Sequence, residues 1–599
     1  MELQQETNKQ LVQQRMNLFC YPVLLIFLIL GARLWQLQII QGAEYALKAE
    51  NNRVRRVELI APRGMISDRN HKVLAEHRSS FTVLLYRESI TDPAATVRFL
   101  AEKLGINSED VESKLRRSRE TGMYRPIVVE EEAGIEDISI IEAHRRDHPE
   151  IQLVPEPLRS YKYDETGVPL AAHLLGYIGE VTEEELDGEL FPSADYGSLV
   201  GQSGIERKYN ELLVGQNGER LVLVDSRGRE VGLLDDENKP ITGGEVQLTL
   251  DLDLQKVAAK ALEDKVGAIV AMDPGNGEIL AMASAPSFDP NAFSTRLSYK
   301  DWNALLEDPD RPLQNRCIQN SYAPGSIFKL IMAEAGLESG LLDKNTFVDC
   351  EGTVEYYGRV FHCIENGHGR IGLENAIARS CNIFFYELGR RLGISRIADH
   401  AAIMGLGQKT GIDLPGERSG IVPSPEWKKR TQEERWYLGE TIPVSIGQGA
   451  LSTTPLQVLR AVSAFANGGF LVTPHLLYSA EKSEGNPEWP PKQIGVSESS
   501  LSRIREGMWR SVNGGGTGYG AAIPGLEICG KTGTAQIVSK ETQKRVPGVA
   551  DDHAWFAGFS PRENPEIAVV VFIEHGGTGG VAAAPLARKI FKAFYDKKE

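Results

Sequence analysis

Between Leu18 and Leu37 the chain runs almost without charge, and this stretch limits the folds open to it more than any other feature. Met16 to Ala32 carries no Asp, Glu, Lys or Arg, includes Phe19 and Val23 to Leu30, and continues through Leu34, Trp35 and Leu37. About 20 apolar residues of helix cross the hydrocarbon core of a bilayer. Leu18 to Leu37 is therefore predicted to be a single membrane helix, with residues 18–38 as the anchor and 1–17 as a short tail. A cleaved signal peptide and a buried core helix are the alternatives. No small-residue cleavage site follows the run, and Trp35 stands where an interfacial aromatic would. Lys9 and Arg15 are offset by Glu2 and Glu6, and Arg53, Arg55 and Arg56 follow the span, so charge alone leaves the orientation open.

A length of 599 residues invites two or more domains. The net charge of -16 comes with no large Lys/Arg block, which argues against nucleic acid as a partner.

Three short motifs occur in order: Ser326-Ile-Phe-Lys329, Ser380-Cys-Asn382 and Lys531-Thr-Gly533. Each alone is weak, since a chain this long holds roughly one or two chance matches to such patterns. Ser479-Ala-Glu-Lys482, Ser511-Val-Asn513 and Lys409-Thr-Gly411 are the decoys. Context separates site from coincidence. Ser326 follows Pro324-Gly325 and precedes apolar residues at helical spacing, Ile327, Leu330, Ile331 and Leu337, so it opens a helix. Lys329 then lies one turn away on the same face. A serine hydroxyl needs a neighbouring base, and a lysine serves only if its neutral form is favoured. Ser479 instead enters a Gly/Pro/Glu-rich loop, Ser483 to Lys492, and Lys409 precedes Pro415-Gly416. Lys531 continues as an apolar-alternating strand through Thr534.

This ordered triplet is the signature of serine enzymes acylated by penicillin, and the chain resembles the penicillin-binding proteins. The resemblance implies an α+β fold: a five-stranded antiparallel sheet between helices, preceded by an elongated pedestal and the membrane helix. It implies Ser326 as acyl-enzyme nucleophile, Lys329 as its base, Ser380 as proton relay and Asn382 as a holder of Lys329 and the substrate amide. Lys531 adds positive field, Thr532, Gly533 and Thr534 bind substrate, and the amides of Ser326 and Thr534 form the oxyanion hole. It also places the short amino end inside the cytoplasmic membrane and the catalytic domain on the outer, periplasmic side.

Ala61-Pro-Arg-Gly-Met-Ile-Ser-Asp-Arg69 and Gly201-Gln-Ser-Gly-Ile-Glu-Arg-Lys-Tyr209 are similar to the pedestal blocks of class B, single-activity members. Arg63, Asp68, Arg69 and Glu206 read as an internal ion network. The pedestal is assigned to residues 39–245 and the transpeptidase domain to 246–599. No glycosyltransferase sequence lies between, so glycan polymerisation falls to a partner, a RodA-type membrane glycosyltransferase among other elongation-complex proteins. Strands are expected at Val246–Asp251, Gly267–Asp273, Glu278–Ala283, Lys531 onward, Ala554–Phe559 and Ile567–Glu574, with a hairpin at Pro274–Gly277 and helices at Leu254–Leu262 and Pro585–Tyr595.

Of six cysteines, Cys350, Cys363 and Cys381 bracket His368 as C-x12-C-x4-H-x12-C. That spacing is compatible with a structural Cys3His zinc site, with Asp349 as a substitute ligand, although it lacks a C-x2-C knuckle. A disulfide plus a spare thiol, or buried cysteines beside a surface histidine, are the competing readings. The stretch Tyr356 to Gly369 resembles the elongation-specific branch of the family more than the division branch.

The reaction implied is D,D-transpeptidation of peptidoglycan stem peptides during wall elongation, with no cofactor for the chemistry, β-lactams as inhibitors and D,D-carboxypeptidation as a side activity. A β-lactamase needs a carboxylate for its deacylating water, and no class A Glu-x-x-Leu-Asn lies between Ser380 and Lys531. A class D enzyme would carry S-x-Val where Asn382 stands. A non-catalytic penicillin sensor or scaffold is the remaining alternative.

Overall fold

The computed structural model describes residues 2–43, 45, 54–117, 126–188, 190–224, 230–295, 297, 299–478, 489–537 and 551–598. The decoy Ser479–Lys482, and residues 483–488 of the expected loop, lie outside the described residues. The chain forms two compact units, one from Met1–Ala61, Ser79–Glu156 and Gln216–Ile241, the other from Pro62–Arg78, Pro157–Gly215 and Thr242–Glu599.

In the first unit a helix Glu2–Trp35 runs into a π-helical turn, Gln36–Ile40. The apolar span Leu18–Ile40 is unburied by protein along its length, as a lipid-covered element is. A three-stranded antiparallel sheet joins Val54–Leu59, Gly218–Val224 and Glu230–Asn238. A separate small core gathers Val83, Leu85, Phe99, Leu100, Ile127 and Ile141. Its helix Pro93–Leu104 starts where the Asp92 carboxylate accepts from the amides of Ala94 and Ala95, and ends on left-handed Gly105.

In the second unit the two pedestal blocks meet. Glu206 is fully buried between Arg63 (2.5 Å) and Arg159 (2.7 Å). Burial pushes its carboxyl up, but Arg159 and Arg63 outweigh this and hold it below the usual range. The expected network is thus partly redistributed. Asp68 accepts the backbone N–H groups of Asn70, Lys72 and Leu252, and Arg69 pairs with Glu278 at 3.0 Å. A short aspartate side chain in a turn reaches backbone more readily than a distant cation.

The catalytic region begins with α1 (Leu252–Ala261), capped by Asp251, and the hairpin strands β1 (Gly267–Met272) and β2 (Ile279–Ala285). Next come α2 (Lys329–Glu338), the small hairpin of β3 (Thr353–Tyr356) and β4 (Arg359–His362), α3 (Asn382–Ile403), α4 (Leu438–Val444) and α5 (Glu498–Asn513). The strands β5 (Cys529–Ala535), β6 (His553–Ser560) and β7 (Ile567–Ile573) and the helix α6 (Ala584–Asp596) complete it. The sheet order is β2-β1-β7-β6-β5, antiparallel throughout.

Both faces of this sheet are covered, which is why β1, β2 and β7 are nearly continuous apolar runs, while the edge strand β5 carries Lys531, Thr532 and Thr534. Ile269, Ala271, Val569 and Val571 pack with Leu254 of α1 and Ile590 and Phe591 of α6. Their alternates Ala268, Val270, Val570 and Phe572 share the other core with Phe328, Leu330 and Phe384. The strand expected at Val246–Asp251 is a two-residue piece, Val246–Gln247, paired in parallel with Ile66–Ser67 and outside the five-stranded sheet.

Candidate active site

The segment bearing Ser326 is a 3-10 turn, Gly325–Phe328, that runs into α2 at Lys329. The helix expected to open at Ser326 therefore begins as a tighter 3-10 turn, packed closely against β5. Gly325 has φ 55°, and a β-carbon there would lie 2.6 Å from Thr534 O. Its N–H donates to Gly447 O at 3.0 Å. On the facing strand β5, a β-carbon at Gly533 would meet Pro324 O at 2.8 Å. Glycine at these places lets the edge strand lie against the turn that carries the serine.

Ser326 is half-buried, while Lys329 and Lys531 are fully buried. Lys329 Nζ donates to Asn382 Oδ1 (2.7 Å), Ser380 O (2.8 Å) and Ser380 Oγ (3.1 Å). Lys531 Nζ donates to Ser380 Oγ (3.0 Å) and Thr532 O (2.9 Å). The Ser380 hydroxyl thus stands between two lysines. Burial lowers Lys329 to about 7, with the Cys381 and Cys363 sulfurs opposing. Burial, then the Lys329 charge, brings Lys531 well below the usual lysine range. Ser380 is in the left-handed region at φ 54°, a strained placement of the kind that gathers at functional sites.

All eight residues assigned to catalysis and substrate binding thus belong to the turn, α2, the Ser380–Asn382 segment and β5. Two neighbours escaped the sequence reading. Thr517 Oγ1 accepts from Thr532 Oγ1 at 2.7 Å, and Gln448 Nε2 donates to Thr534 O at 3.1 Å. The glycine-rich run Gly514-Gly-Gly-Thr-Gly518 was the available signal for Thr517. The decoys fall elsewhere. Thr410 donates to the Glu417 carboxylate in a buried loop, and Ser511 sits inside α5.

The family model for the penicillin binding protein transpeptidase domain matches residues 267–592, and that for the penicillin-binding protein dimerisation domain matches 58–248. The peptidoglycan D,D-transpeptidase MrdA of Acinetobacter baumannii is 35% identical over 98% of this chain and 88% of its own. The chain belongs to the class B penicillin-binding proteins. Within them it falls in the penicillin-binding protein 2 branch. The Helicobacter pylori penicillin-binding protein PBP2, solved in complex with MreC, superposes with a TM-score of 0.79 at 30% identity, covering 91% of this chain and 99% of that one. A chain of a peptidoglycan synthase complex, described as coordinating polymerization and crosslinking, gives a TM-score of 0.71 at 31% identity over 98% and 99%.

This class B protein also brings Cys350, Cys363, His368 and Cys381 together, their ligand atoms all within 4.8 Å of one another. His368 Nδ1 is 3.4 Å from both Cys350 Sγ and Cys363 Sγ, and Cys363 Sγ is 3.9 Å from Cys381 Sγ. Tetrahedral zinc–sulfur and zinc–nitrogen bonds place such atoms about 3.6–3.8 Å apart, so the donor set fits the ion. The cysteines are free, so the disulfide reading is not realised, and Asp349 stands outside the group. The contact between Cys363 and Cys381 draws the Cys363 thiol down and pushes Cys381 up. Glu365 Oε1 lies 3.5 Å from His368 Nε2 but makes no hydrogen bond to it, so that buried nitrogen is unpartnered.

Proposed function

We propose that this protein is a serine D,D-transpeptidase that cross-links peptidoglycan stem peptides during wall elongation. The observation that carries the reading is the fully buried Lys329, one turn from Ser326 and donating hydrogen bonds to Ser380 and Asn382; burial lowers it to about 7. A lysine so tuned is neutral often enough to act as base. Lys329 takes the Ser326 hydroxyl proton as Oγ attacks the penultimate D-Ala carbonyl. The oxyanion is met by the amides of Ser326 and Thr534 and the field of Lys531. The C–N bond breaks, and a proton relayed through Ser380 leaves with the terminal D-Ala. An amine from a second strand attacks the ester, loses its proton to Lys329, and restores the Ser326 hydroxyl. Thr532, Gly533 and Thr534 hold the donor. Water in place of the amine gives the carboxypeptidase side reaction.

The cysteine cluster holds a structural zinc, which supplies no step of the reaction and fixes the segment containing Ser380 and Asn382. The division of the chain is 1–17 inside, 18–38 in the membrane, 39–245 as pedestal and 246–599 as transpeptidase outside. The relatives solved with MreC and within a peptidoglycan synthase complex support elongation-complex partners for this chain; the polymerase proposed is RodA-type, coupled through the pedestal. Nothing in the site favours the β-lactamase or sensor alternatives.

The test is intact mass after incubation with a labelled penicillin. A covalent adduct that persists for hours and vanishes in Ser326→Ala is expected. An adduct that turns over within seconds would make the protein a β-lactamase.

A further inference from the structure

Between α5 and β5 the chain reads Gly514-Gly-Gly-Thr-Gly518, so that Thr517 is the one residue of the run to carry more than a hydrogen as its side chain. Close packing explains the glycines. A β-carbon at Gly516 would lie 2.5 Å from Ala378 O, and one at Gly518 would lie 3.0 Å from Ser511 Oγ. Gly515 has φ 73°, where glycine is unstrained. The Thr517 N–H donates to Ala378 O at 3.2 Å, and the Gly518 N–H to Ser511 O at 2.9 Å. The loop is thereby fastened to α5 and to the chain two residues before Ser380, and it carries a single hydroxyl to β5.

On β5, Thr532 and Thr534 share one face, because alternate residues of a strand do. A hydroxyl has one proton to give. Thr532 gives its proton to Thr517 Oγ1 at 2.7 Å, and Thr532 is only 6% exposed. Thr534 Oγ1 instead accepts, from the Gly579 N–H at 3.5 Å, and Thr534 is partly exposed. Its own proton is left for a ligand. Thr517 is also partly exposed, and no acceptor for its proton lies among the described residues. The protons on offer to a substrate therefore belong to Thr534 and Thr517, not to Thr532.

Side chains two apart on a strand stand about 6.6 Å apart, and Thr517 stands against Thr532, so the gap between the two free protons is of that order. A carboxylate only accepts, through two oxygens set side by side, and each takes a hydroxyl proton at about 2.6 Å. It fits such a gap. In the reaction proposed above, the Thr534 amide meets the oxyanion, which puts the Thr534 side chain within a residue of the scissile bond. The terminal carboxylate of the stem peptide lies one residue beyond that bond.

We infer that Thr517 is a substrate-binding residue which, with Thr534, donates to the terminal carboxylate of the D-Ala-D-Ala peptide. Thr532 acts through it: a hydroxyl whose oxygen already accepts is the stronger donor. This rests on the transpeptidase reading and deepens it, extending carboxylate recognition to a loop outside the three motifs.

The experiment acylates the full-length protein with a labelled penicillin and, separately, with its methyl ester, which keeps the reactive carbonyl and loses the carboxylate. The reading is the ratio of the two second-order rates, in which any loss of folded protein cancels. Wild type is expected to favour the acid. Thr517→Val is expected to lower the ratio by roughly 10- to 100-fold, as one hydrogen bond to a charged group is lost. Thr517→Ser, which keeps the hydroxyl, is expected to restore it. With a pentapeptide substrate the loss in Thr517→Val is expected mainly in KM. Equal rates for acid and ester on wild type overturn the inference, as does a wild-type ratio in Thr517→Val. Acid and ester slowed together would make Thr517 a brace for the loop, and neither slowed would leave the carboxylate to Thr532 and Thr534. A Thr517→Ser ratio as low as that of Thr517→Val also overturns it. Absence of any penicillin adduct on wild type removes the transpeptidase reading, and the subsite falls with it.

Discussion

The three acceptors of Lys329, namely Ser380 O, Ser380 Oγ and Asn382 Oδ1, are all neutral, and burial lowers the amine to about 7. A base works only when unprotonated. The rate of Ser326 acylation by a labelled penicillin is therefore expected to rise as pH passes through about 7 and to level off above it. Lys329→Ala is expected to be slower by roughly 10²–10⁴-fold and to lose that inflection. A wild-type profile flat between pH 5 and 9 would sink Lys329 as the base. Ser326 with Lys329, and Ser380 with Asn382, were legible in the sequence because each pair is local, three or two residues apart. Thr517 and Gln448 were not, because each reaches β5 from a segment with no motif of its own. Nor does the sequence announce the left-handed backbone of Ser380, since side-chain type alone does not dictate φ.

At the level of elements, the five sheet strands were legible because buried β-runs are short, apolar and bounded by turn residues. Val246–Asp251 misled because it alternates like a strand, yet only Val246–Gln247 pair as one, Leu248 makes a single bridge to Leu477, and Leu250 is buried in the core outside any strand. Spacing raised the cysteine cluster but left disulfide and zinc open, and only the sulfur positions favour a metal. Cys363 follows β4 directly and accepts from the amide of Asn382 at 3.3 Å, while Cys381 stands between Ser380 and Asn382. A zinc ion there would clamp the hairpin to the catalytic segment. Elemental analysis of purified protein is expected to find about one zinc per chain, and Cys363→Ser is expected to lose it. The variant is also expected to acylate roughly ten-fold more slowly, as Asn382 loses its support and Lys329 with it. Wild type that is free of zinc and fully active would end the proposal.

Across the whole chain, the compact units draw on alternating stretches, with Pro62–Arg78 and Pro157–Gly215 grouped with the catalytic region. Interleaving of this kind leaves no compositional boundary to read. Ser326, Lys329, Ser380, Asn382 and Lys531 all belong to the second unit, and the apolar span Leu18–Ile40 to the first. Acylation chemistry and membrane attachment are therefore expected to separate genetically. A chain starting at Val54 is expected to be recovered without detergent and to acylate with penicillin within about two-fold of full-length protein, because no group at the reactive serine is lost. It is expected not to restore rod shape to cells depleted of the full-length protein. Full-length Ser326→Ala is the complement: no adduct and no cross-links, yet undiminished stimulation of a co-reconstituted membrane glycosyltransferase, measured as glycan polymer formed. On the proposed coupling, polymerisation needs the anchored chain beside its partner, not the serine oxygen. If Ser326→Ala abolishes both cross-linking and stimulation while remaining folded and membrane-bound, coupling through the pedestal is wrong, and the polymerase responds to the acyl-enzyme instead.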